Sequence, residues 1–381
     1  MGHTLAHAEL TADEIGAVRE PLSQASCLPT RCYTDQAFYE LELDRLLRRT
    51  WLPVARWDQI ENPGDYLTTV IAGEPLILVR AEDGEVRCLS NVCQHRRMLV
   101  ASGCGTARFF QCPYHRWAYG LDGRLQGGPF LDKDVDRTNV ALPSVRAEEW
   151  NGFVFVNFDV DASPLTPQLE GLTTLLKPYG LSTWRLVDDA HIAEANWNWK
   201  LTIENASESY HHLGFHSESL EPMLAPTRRV IVPEQAGPYI QFQNPGLTDD
   251  ADAHTMGWPA PELGPEHNAN RIITVFPLCS LTLSPNWIGW MRVTPGPAVD
   301  RHDVRLLYMV PPDAREWDGF EQTFAPLKRF VEGALQEDMS GLRALSNTHH
   351  SKLTDRTAGF SPLEATVAHF QRWIVDRMTA S

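Results

Sequence analysis

The sequence predicts an α+β protein with two domains, a small antiparallel β domain followed by a sheet covered by helices. Its length indicates two domains, because 381 residues exceed what one hydrophobic core normally holds. Aspartate–glycine pairs separate short β-rich runs in the first half, and such pairs favour hairpins. Pro164, Pro167 and Pro178 then mark a linker, after which helical patterns flank strand-like runs.

This pattern divides the chain into three segments. We predict a helical N-terminal segment over residues 1–48 that packs on the second domain, the β domain over 49–160, and the second domain over 161–381. Within the β domain, strands are expected where β-branched and aromatic residues concentrate between turns. They cover residues 66–72, 75–81, 86–92 and 152–158.

Composition excludes several classes of function. The net charge of −16 argues against nucleic-acid binding, because a phosphate backbone needs a basic surface. The chain has no run of roughly 20 apolar residues, as a membrane helix requires, and no apolar signal segment at its start. We therefore expect a soluble cytoplasmic protein. Its seven cysteines are odd in number and scattered, which favours thiols or metal ligands over a disulfide framework.

Two predicted loops of the β domain each combine a cysteine with a histidine. Cys93 precedes His95 by two positions, and Cys112 precedes His115 by three. Two thiolates and two neutral imidazoles suit a [2Fe–2S] cluster in which histidines bind one of the irons. A structural zinc site takes the same four donors, but zinc sites favour paired Cys-x-x-Cys motifs. The spacing therefore favours the cluster over zinc.

The second domain is predicted to be a sheet covered by helices. Strand-like runs cover residues 272–275, 280–293 and 304–310, and a helix is expected over 326–345. The stretch from 198 to 216 contains three histidines within six residues, preceded by carboxylates, which indicates a metal site. A surface histidine cluster is the alternative.

Residue spacing alone leaves the ligands of this second site open. Helical geometry selects His212 and His216, because residues four apart share a helix face. Asp338 is a candidate third ligand, because it lies within the apolar stripe of the predicted helix, whereas Glu337 is rotated off it. A buried carboxylate is costly unless it is paired or binds metal. A hydrogen bond to an arginine or a helix end is the alternative for Asp338. The stripe consists of Val331, Ala334, Leu335, Leu342 and Leu345.

The cysteine and histidine loops also carry a family resemblance. Residues 91–96 (Asn-Val-Cys-Gln-His-Arg) and 112–119 (Cys-Pro-Tyr-His-Arg-Trp-Ala-Tyr) resemble the Rieske domain of ring-hydroxylating and demethylating oxygenases. Respiratory Rieske proteins carry additional cysteines near positions occupied here by Met98 and Tyr114, so the resemblance favours the oxygenase branch. Arg97 departs from the family, which most often has glycine there, and we expect a different backbone course in the first loop.

The resemblance extends to the second metal site. The family carries an asparagine, a carboxylate and then two histidines five residues apart, which matches Asn205, Glu208, His211 and His216. It therefore implies that His211 and His216 bind iron, and that His212 does not. A gap of five residues requires an irregular or bulged helix.

Further properties are implied by the same resemblance. Its cofactors are a [2Fe–2S] cluster and Fe(II), with Asp338 as the third iron ligand, since the family's carboxylate ligand also lies in a Glu-Asp pair. The second domain is expected to adopt a helix-grip (START-like) fold, and the protein to form a head-to-tail homotrimer. Glu208 would then bridge His211 and the partner subunit's His115 for electron transfer between subunits.

The resemblance predicts the terminal oxygenase of a multicomponent system that uses dioxygen to hydroxylate or oxidatively demethylate a small organic substrate. Since no Gly-x-Gly-x-x-Gly turn follows a strand, electrons are expected from a separate NAD(P)H-dependent reductase, with or without a ferredoxin. The Asn-x-x-Glu spacing resembles enzymes of choline, carnitine and betaine oxidation, and Phe276, Trp287 and Trp290 are candidates to bind a quaternary ammonium group.

Three alternatives remain open. The first is an N- or O-dealkylase, or a ring-hydroxylating dioxygenase, that acts on a neutral or anionic aromatic compound. The others are a Rieske electron-transfer protein without oxygenase activity and a zinc-stabilised binding protein. A carrier would not need the second-domain residues His211, His216 and Asp338.

Overall fold

The computed structural model describes residues 9–132, 134, 137–222, 229–245, 256–264, 267, 269–351, 353 and 357–380. The chain forms two compact units. The β unit is Arg48–Thr166, and the α+β unit combines Met1–Leu47 with Pro167–Ser381. Within the part of the chain that the structure describes, every helix is too short or too polar to cross a membrane.

The β unit consists of two antiparallel sheets. A seven-stranded sheet has the order β1-β10-β9-β4-β3-β2-β5, and a three-stranded sheet has the order β6-β7-β8. A core of buried apolar side chains includes both Cys93 and Cys112. The strands are β1 (Leu52–Arg56), β2 (Asp65–Ile71), β3 (Glu74–Arg80), β4 (Val86–Ser90), β5 (Cys104–Thr106), β6 (Phe110–Gln111), β7 (Ala118–Tyr119), β8 (Leu125–Gly127), β9 (Ser144–Trp150) and β10 (Phe153–Asn157).

The α+β unit contains one six-stranded antiparallel sheet of order β11-β16-β15-β14-β13-β12. Its strands are β11 (Arg185–Ala195), β12 (Tyr239–Asn244), β13 (Asn270–Val275), β14 (Cys279–Leu283), β15 (Ile288–Pro295) and β16 (His302–Val310). The helices of the chain are α1 (Ala12–Arg19), α2 (Arg31–Thr34), α3 (Gln36–Arg45), α4 (Leu165–Gln168), α5 (Glu170–Leu176), α6 (Trp199–Ala206), α7 (Phe320–Thr348) and α8 (Ala365–Thr379).

One face of this sheet packs on the long helix α7. Tyr308 of β16 points to that side, where its ring makes an edge contact with Phe324 at 5.4 Å between centroids. Gly289 lies opposite Tyr308 across the β15–β16 pair, so it belongs to the same face. Trp290, the next residue along β15, therefore belongs to the other face, because successive side chains of a strand alternate.

The α+β class predicted from the sequence is confirmed, with two corrections to its elements. The run 280–293 is a hairpin of two strands, β14 and β15, because Pro285 has no backbone N–H to donate and the chain turns there. The long helix begins at Phe320 instead of near Pro326, since the buried side chains of Phe320 and Phe324 anchor two additional turns.

Candidate metal centres

The two cysteine–histidine loops of the β unit have the same backbone geometry. In the first loop, the amide of Cys93 donates to Met98 O at 2.9 Å, and the amide of Arg97 donates to Cys93 O at 3.0 Å. The second loop repeats both bonds, from Cys112 to Trp117 O at 2.8 Å and from the amide of residue 116 back to residue 112 at 3.0 Å. Each loop is therefore a closed turn that carries its cysteine at the base.

Arg97 adopts the backbone conformation that glycine favours. Its φ of +61° nearly equals the +58° of Arg116, which occupies the matching position in the second loop. Whether the first loop departs from the family's course stays a prediction, although Arg97 takes the left-handed conformation that a glycine would take. The first loop follows the same path as the second, at a cost of roughly 1–2 kcal/mol for a left-handed residue with a side chain.

The four predicted cluster ligands converge at one end of this unit. Cys93 and Cys112 are buried, whereas His95 is exposed and His115 partly exposed. The two imidazole rings lie 4.6 Å apart between centroids. Two buried sulfur donors beneath two adjacent imidazoles at the surface form the donor set of a [2Fe–2S] cluster that is bound through one iron by cysteines and through the other by histidines.

Two aromatic side chains support these ligands. The indole of Trp117 stacks on the His95 ring at 4.7 Å with an interplanar angle of 9°. The hydroxyl of Tyr119 lies 3.2 Å from the Cys93 sulfur and also accepts the amide of Gln94 at 3.1 Å. Burial raises the pKa of the Cys112 thiol. A bound metal cation would act in the opposite direction and favour the thiolate.

In the α+β unit, the second candidate site begins where α6 ends. Asn198 caps the start of α6 by accepting the amide of Lys200 at 3.0 Å. After the helix, residues Tyr210–Leu213 form a tighter 3-10 turn. The Glu208 carboxylate accepts the amides of Tyr210 and His211, the latter at 3.1 Å, and so fixes the start of that turn.

His211, His216 and Asp338 come together across the unit. Asp338 Oδ1 lies 2.9 Å from His216 Nε2 and 3.4 Å from His211 Nε2. Two ligand atoms that are each about 2.1 Å from one ion, at right angles, lie about 3.0 Å apart. The three donors therefore fit a single metal ion, although Asp338 is 122 residues from His216 in sequence.

Contacts within this cluster raise the pKa of His211 and lower the pKa of Asp338. Burial would lower the pKa of His211, but hydrogen bonds with Asp338 and Glu208 outweigh burial and raise it to about 9. Burial opposes ionisation of Asp338, yet both histidines hold the pKa of its carboxyl well below the ordinary value. Asp338 is therefore an anionic donor at neutral pH, as a ferrous ligand must be.

His212 also points toward the cluster. Its ring centroid lies 4.8 Å from that of His211 and 5.2 Å from that of His216, and the three histidines offer donor atoms within 4.8 Å of one another. Burial first, and then the neighbouring histidines, lower the pKa of His212 to about 3. Among the described residues, however, no hydrogen bond joins His212 to Asp338.

Comparison with known families identifies the fold that holds these sites. The family model described as the ring hydroxylating alpha subunit (catalytic domain) matches residues 181–380, more than half of the chain. The chain belongs to this family. A second model, the Rieske [2Fe-2S] domain, matches residues 50–146. Together they imply a [2Fe–2S] cluster and a mononuclear iron, so the zinc-site alternative is set aside.

Two relatives of this chain are named as monooxygenase subunits for quaternary ammonium compounds. The carnitine monooxygenase oxygenase subunit of Escherichia coli (strain K12) is 36% identical over 210 residues, which cover 52% of this chain and 55% of that subunit. The glycine betaine monooxygenase oxygenase subunit of Pseudomonas aeruginosa (strain UCBPP-PA14) is 32% identical over 199 residues, which cover 52% and 46%. The chain spans about half the length of the curated relatives it matches.

Solved structures show the same fold. The quaternary ammonium Rieske monooxygenase CntA in complex with L-carnitine superposes with a TM-score of 0.77. The match covers 97% of this chain and 99% of that chain at 21% sequence identity. At this level of identity, the similarity shows a shared fold.

The remaining predicted residues lie outside the two candidate metal clusters. Asn205 is partly exposed in the last turn of α6. Phe276 packs against Phe370 and Trp373 of α8, with centroids 5.0 and 5.1 Å away. Trp287 is buried in the turn between β14 and β15. Trp290 is buried on the face of the sheet that does not pack on α7. Roles for these residues in catalysis or substrate binding stay predictions.

Sequence reasoning missed one contact of the iron site. Glu337 Oε2 lies 2.7 Å from His216 Nδ1, on the ring edge opposite Asp338. Ser219 Oγ donates to the same carboxylate oxygen at 2.6 Å. The available signal was the adjacency of Glu337 to Asp338, which places two carboxylates within reach of one imidazole.

Proposed function

We propose that this chain is the terminal oxygenase of a multicomponent Rieske system that hydroxylates a small organic substrate with dioxygen. The convergence of His211, His216 and Asp338 carries the proposal, since two imidazoles and one carboxylate leave coordination positions open. When bound, the cluster passes single electrons and the ferrous iron activates dioxygen. Each cycle takes one dioxygen, two electrons and two protons, inserts one oxygen atom into a C–H bond and releases one water.

The substrate we propose is a quaternary ammonium compound. Two relatives are named as carnitine and glycine betaine monooxygenase subunits, and the net charge of −16 attracts cations. Hydroxylation of a carbon next to nitrogen gives an adduct that collapses to an amine and an aldehyde. The test measures, with a matched reductase, aldehyde release from trimethylammonium compounds and methoxyarenes, and hydroxylated product from unsubstituted arenes. Product from arenes alone would instead support the aromatic-substrate alternative.

We further propose that electrons cross between subunits of a head-to-tail homotrimer. Large apolar side chains are exposed beside both metal sites. Met98, Leu99 and Tyr114 flank the cluster loops, while Leu213 and Phe215 flank the iron ligands. Exposed apolar patches favour association, and docking of the first surface on the second surface of another copy would generate a closed ring.

Glu208 is the proposed bridge between the two centres. One of its carboxylate oxygens contacts His211 Nδ1, which orients that ring with Nε2 toward Asp338. In the trimer, the other edge of this carboxylate would accept a hydrogen bond from the partner subunit's His115. Reducing equivalents would reach the cluster from a separate NAD(P)H-dependent reductase.

Mixed trimers test this transfer directly. Asp338→Ala subunits keep the cluster but lose the iron ligand, while His115→Ala subunits keep the iron site but lose a cluster ligand. Each variant alone is expected to be inactive. Co-assembled trimers should regain part of the activity, because an intact cluster then faces an intact iron site on the next subunit. A mixture as inactive as its parents would contradict transfer between subunits.

A further inference from the structure

We propose that Glu337 is a positioning residue for the iron site, the counterpart at His216 of Glu208 at His211. This inference rests on the proposed function and deepens it, since it concerns how the chain prepares its second histidine for the metal. In each ring, Nδ1 would then contact a carboxylate that does not bind the metal, Glu208 for His211 and Glu337 for His216. We call these two groups the outer carboxylates. The Nε2 atoms of both rings face Asp338.

The contacts of the His216 ring support this role on both sides. Its Nδ1 lies 2.7 Å from Glu337 Oε2, and its Nε2 lies 2.9 Å from Asp338 Oδ1. An imidazole that donates its Nδ1 proton to a carboxylate keeps the Nε2 lone pair for a metal. Glu337 therefore selects the tautomer and the rotation of the ring that direct Nε2 toward Asp338.

Ser219 reinforces the same contact. Its hydroxyl donates to Glu337 Oε2 at 2.6 Å and lies 3.3 Å from His216 Nδ1. The amide of Ser219 also donates to His216 O at 3.2 Å, so the hydroxyl is held beside the ring by the same turn. One oxygen of Glu337 thus accepts from two donors that the chain places together.

The two outer carboxylates differ in their surroundings. The Glu208 side chain is 11% exposed and also accepts two backbone amides. The Glu337 side chain is 42% exposed and, among the described residues, accepts only from His216 and Ser219. Substitution of Glu337 therefore removes little besides its contact with the iron ligand, which makes it the cleaner experimental test.

Adjacent residues can contact opposite edges of one ring because of the helix geometry. Glu337 and Asp338 are separated by about 100° around α7. Asp338 is buried, whereas Glu337 lies at the margin of the same helix face and reaches the outer edge of His216. The competing interpretation is that Glu337 is a solvated helix residue whose ion pair with His216 contributes nothing once metal is bound.

Iron binding to the folded, cluster-loaded chain distinguishes these two interpretations. The mononuclear iron is removed with a chelator and restored by anaerobic titration with Fe(II), for wild type, Glu337→Ala, Glu337→Gln and Ser219→Ala. Glu321→Gln is the matched control, because Glu321 is exposed in the first turn of the same helix. The visible spectrum of the cluster and the unfolding midpoint report whether each variant is folded.

We expect Glu337→Ala to raise the dissociation constant for Fe(II) about 10- to 100-fold, as loss of an outer carboxylate does elsewhere. Glu337→Gln should have a smaller effect, because its amide oxygen can still accept the Nδ1 proton, and Ser219→Ala should have the smallest. The electron paramagnetic resonance spectrum of the nitrosyl complex should change with Glu337→Ala and not with Glu321→Gln.

Unchanged affinity and spectrum in Glu337→Ala would overturn the inference. Should that variant fold poorly, Glu337→Met, which also removes the acceptor but keeps a side chain of similar length, is titrated in its place and judged by the same criterion. Failure of the wild-type chain to bind Fe(II) at all would instead contradict the proposed function, so the two failures are distinguishable.

Discussion

The β unit and the α+β unit assemble their metal sites from very different stretches of chain. Between positions 93 and 115, two short loops with matching hydrogen bonds supply every predicted cluster ligand. The candidate iron site instead joins His216, in a turn after α6, to Asp338 of α7, 122 residues further along the chain. The cluster site is thus defined by local backbone geometry, whereas the iron site depends on how the whole unit packs.

Because of this difference, we expect the two sites to be disturbed by different kinds of substitution. Cluster loops close through their own backbone bonds, so they tolerate a strained residue such as Arg97. The candidate iron ligands are contacted by further carboxylates, Glu208 beside His211 and Glu337 of α7 beside His216, so loss of a single carboxylate or a small shift of α7 is expected to disturb them. Three of the four predictions below test this contrast, and the other concerns the stability of the α+β unit.

The largest effect is expected for Asp338→Ala. The variant should lose the mononuclear iron and all product formation, because no other described carboxylate contacts Nε2 of both His211 and His216. The cluster spectrum should stay unchanged, since its ligands belong to the other unit. Iron analysis and turnover are the measurements, with exposed Asp313→Ala as the control. Normal turnover of the variant would refute the ligand assignment.

The free energy of unfolding is expected to depend on pH through Glu204, a carboxyl that hydrogen-bonds residues of two other helices in the α+β unit. Glu204 of α6 accepts hydrogen bonds from Tyr33 at 2.7 Å and from Gln371 at 3.0 Å. Burial raises its pKa to about 7. The folded state therefore binds a proton that the unfolded state releases between pH 4.5 and 7, and stability falls as the pH rises through this window.

Glu204→Gln should remove this loss, which amounts to about 3 kcal/mol at 1.36 kcal/mol per pKa unit. Denaturant unfolding at pH 5 and pH 7 is the measurement. The wild-type chain should lose stability between the two pH values relative to the variant. An identical pH dependence in both chains would show that Glu204 titrates normally. A neutral amide at this position still hydrogen-bonds Tyr33, so the fold is expected to survive.

A smaller effect, on iron binding, is expected from a substitution where α7 contacts the turn that carries His216. A methyl group at Gly341 would approach the Phe215 ring to 2.7 Å, so Gly341→Ala must displace Phe215 and with it the adjacent ligand. We expect roughly tenfold weaker iron binding, or about 1.4 kcal/mol, with an unchanged cluster. Gly333→Ala is the control, because no atom lies within 4 Å of its added methyl group.

The smallest effect is expected for Arg97→Gly, on the stability of the β unit. Glycine adopts a φ of +61° without strain, so the substitution should stabilise the unit by about 1 kcal/mol. Thermal unfolding of the cluster-loaded chain measures it. Arg96→Gly is the control, since Arg96 is not among the residues with positive φ and should be destabilised by glycine. Equal destabilisation in both variants would indicate that Arg97 is unstrained.

The predicted cluster ligands of the β unit are local in sequence, so the residues alone were enough to propose them. The spacing of Cys93, His95, Cys112 and His115 favoured a cluster over zinc, and the structure brings the two histidine rings to 4.6 Å. The aspartate–glycine turns located several of the surrounding strands. The hairpin of β14 and β15 was predicted as a single run, because its strands are apolar on both sides of Pro285 and alternation alone does not reveal a turn.

The iron site was less accessible to sequence reasoning. Helical spacing selected His212 with His216, and a backbone hydrogen bond of 3.2 Å does join these two residues. Asp338, however, contacts His216 and His211, a pairing that spacing alone does not select. Asp338 was identified from its position in an apolar stripe. Glu337 was overlooked for the opposite reason, because it lies off that stripe and its partner is 121 residues away.

The most direct test of two metal centres in one chain is the ratio of iron to acid-labile sulfide in anaerobically purified protein. A [2Fe–2S] cluster plus a mononuclear site predicts three irons and two sulfides per chain, with one iron lost on Asp338→Ala. Two irons and two sulfides in fully loaded wild-type protein, or iron content unaffected by Asp338→Ala, would contradict the account.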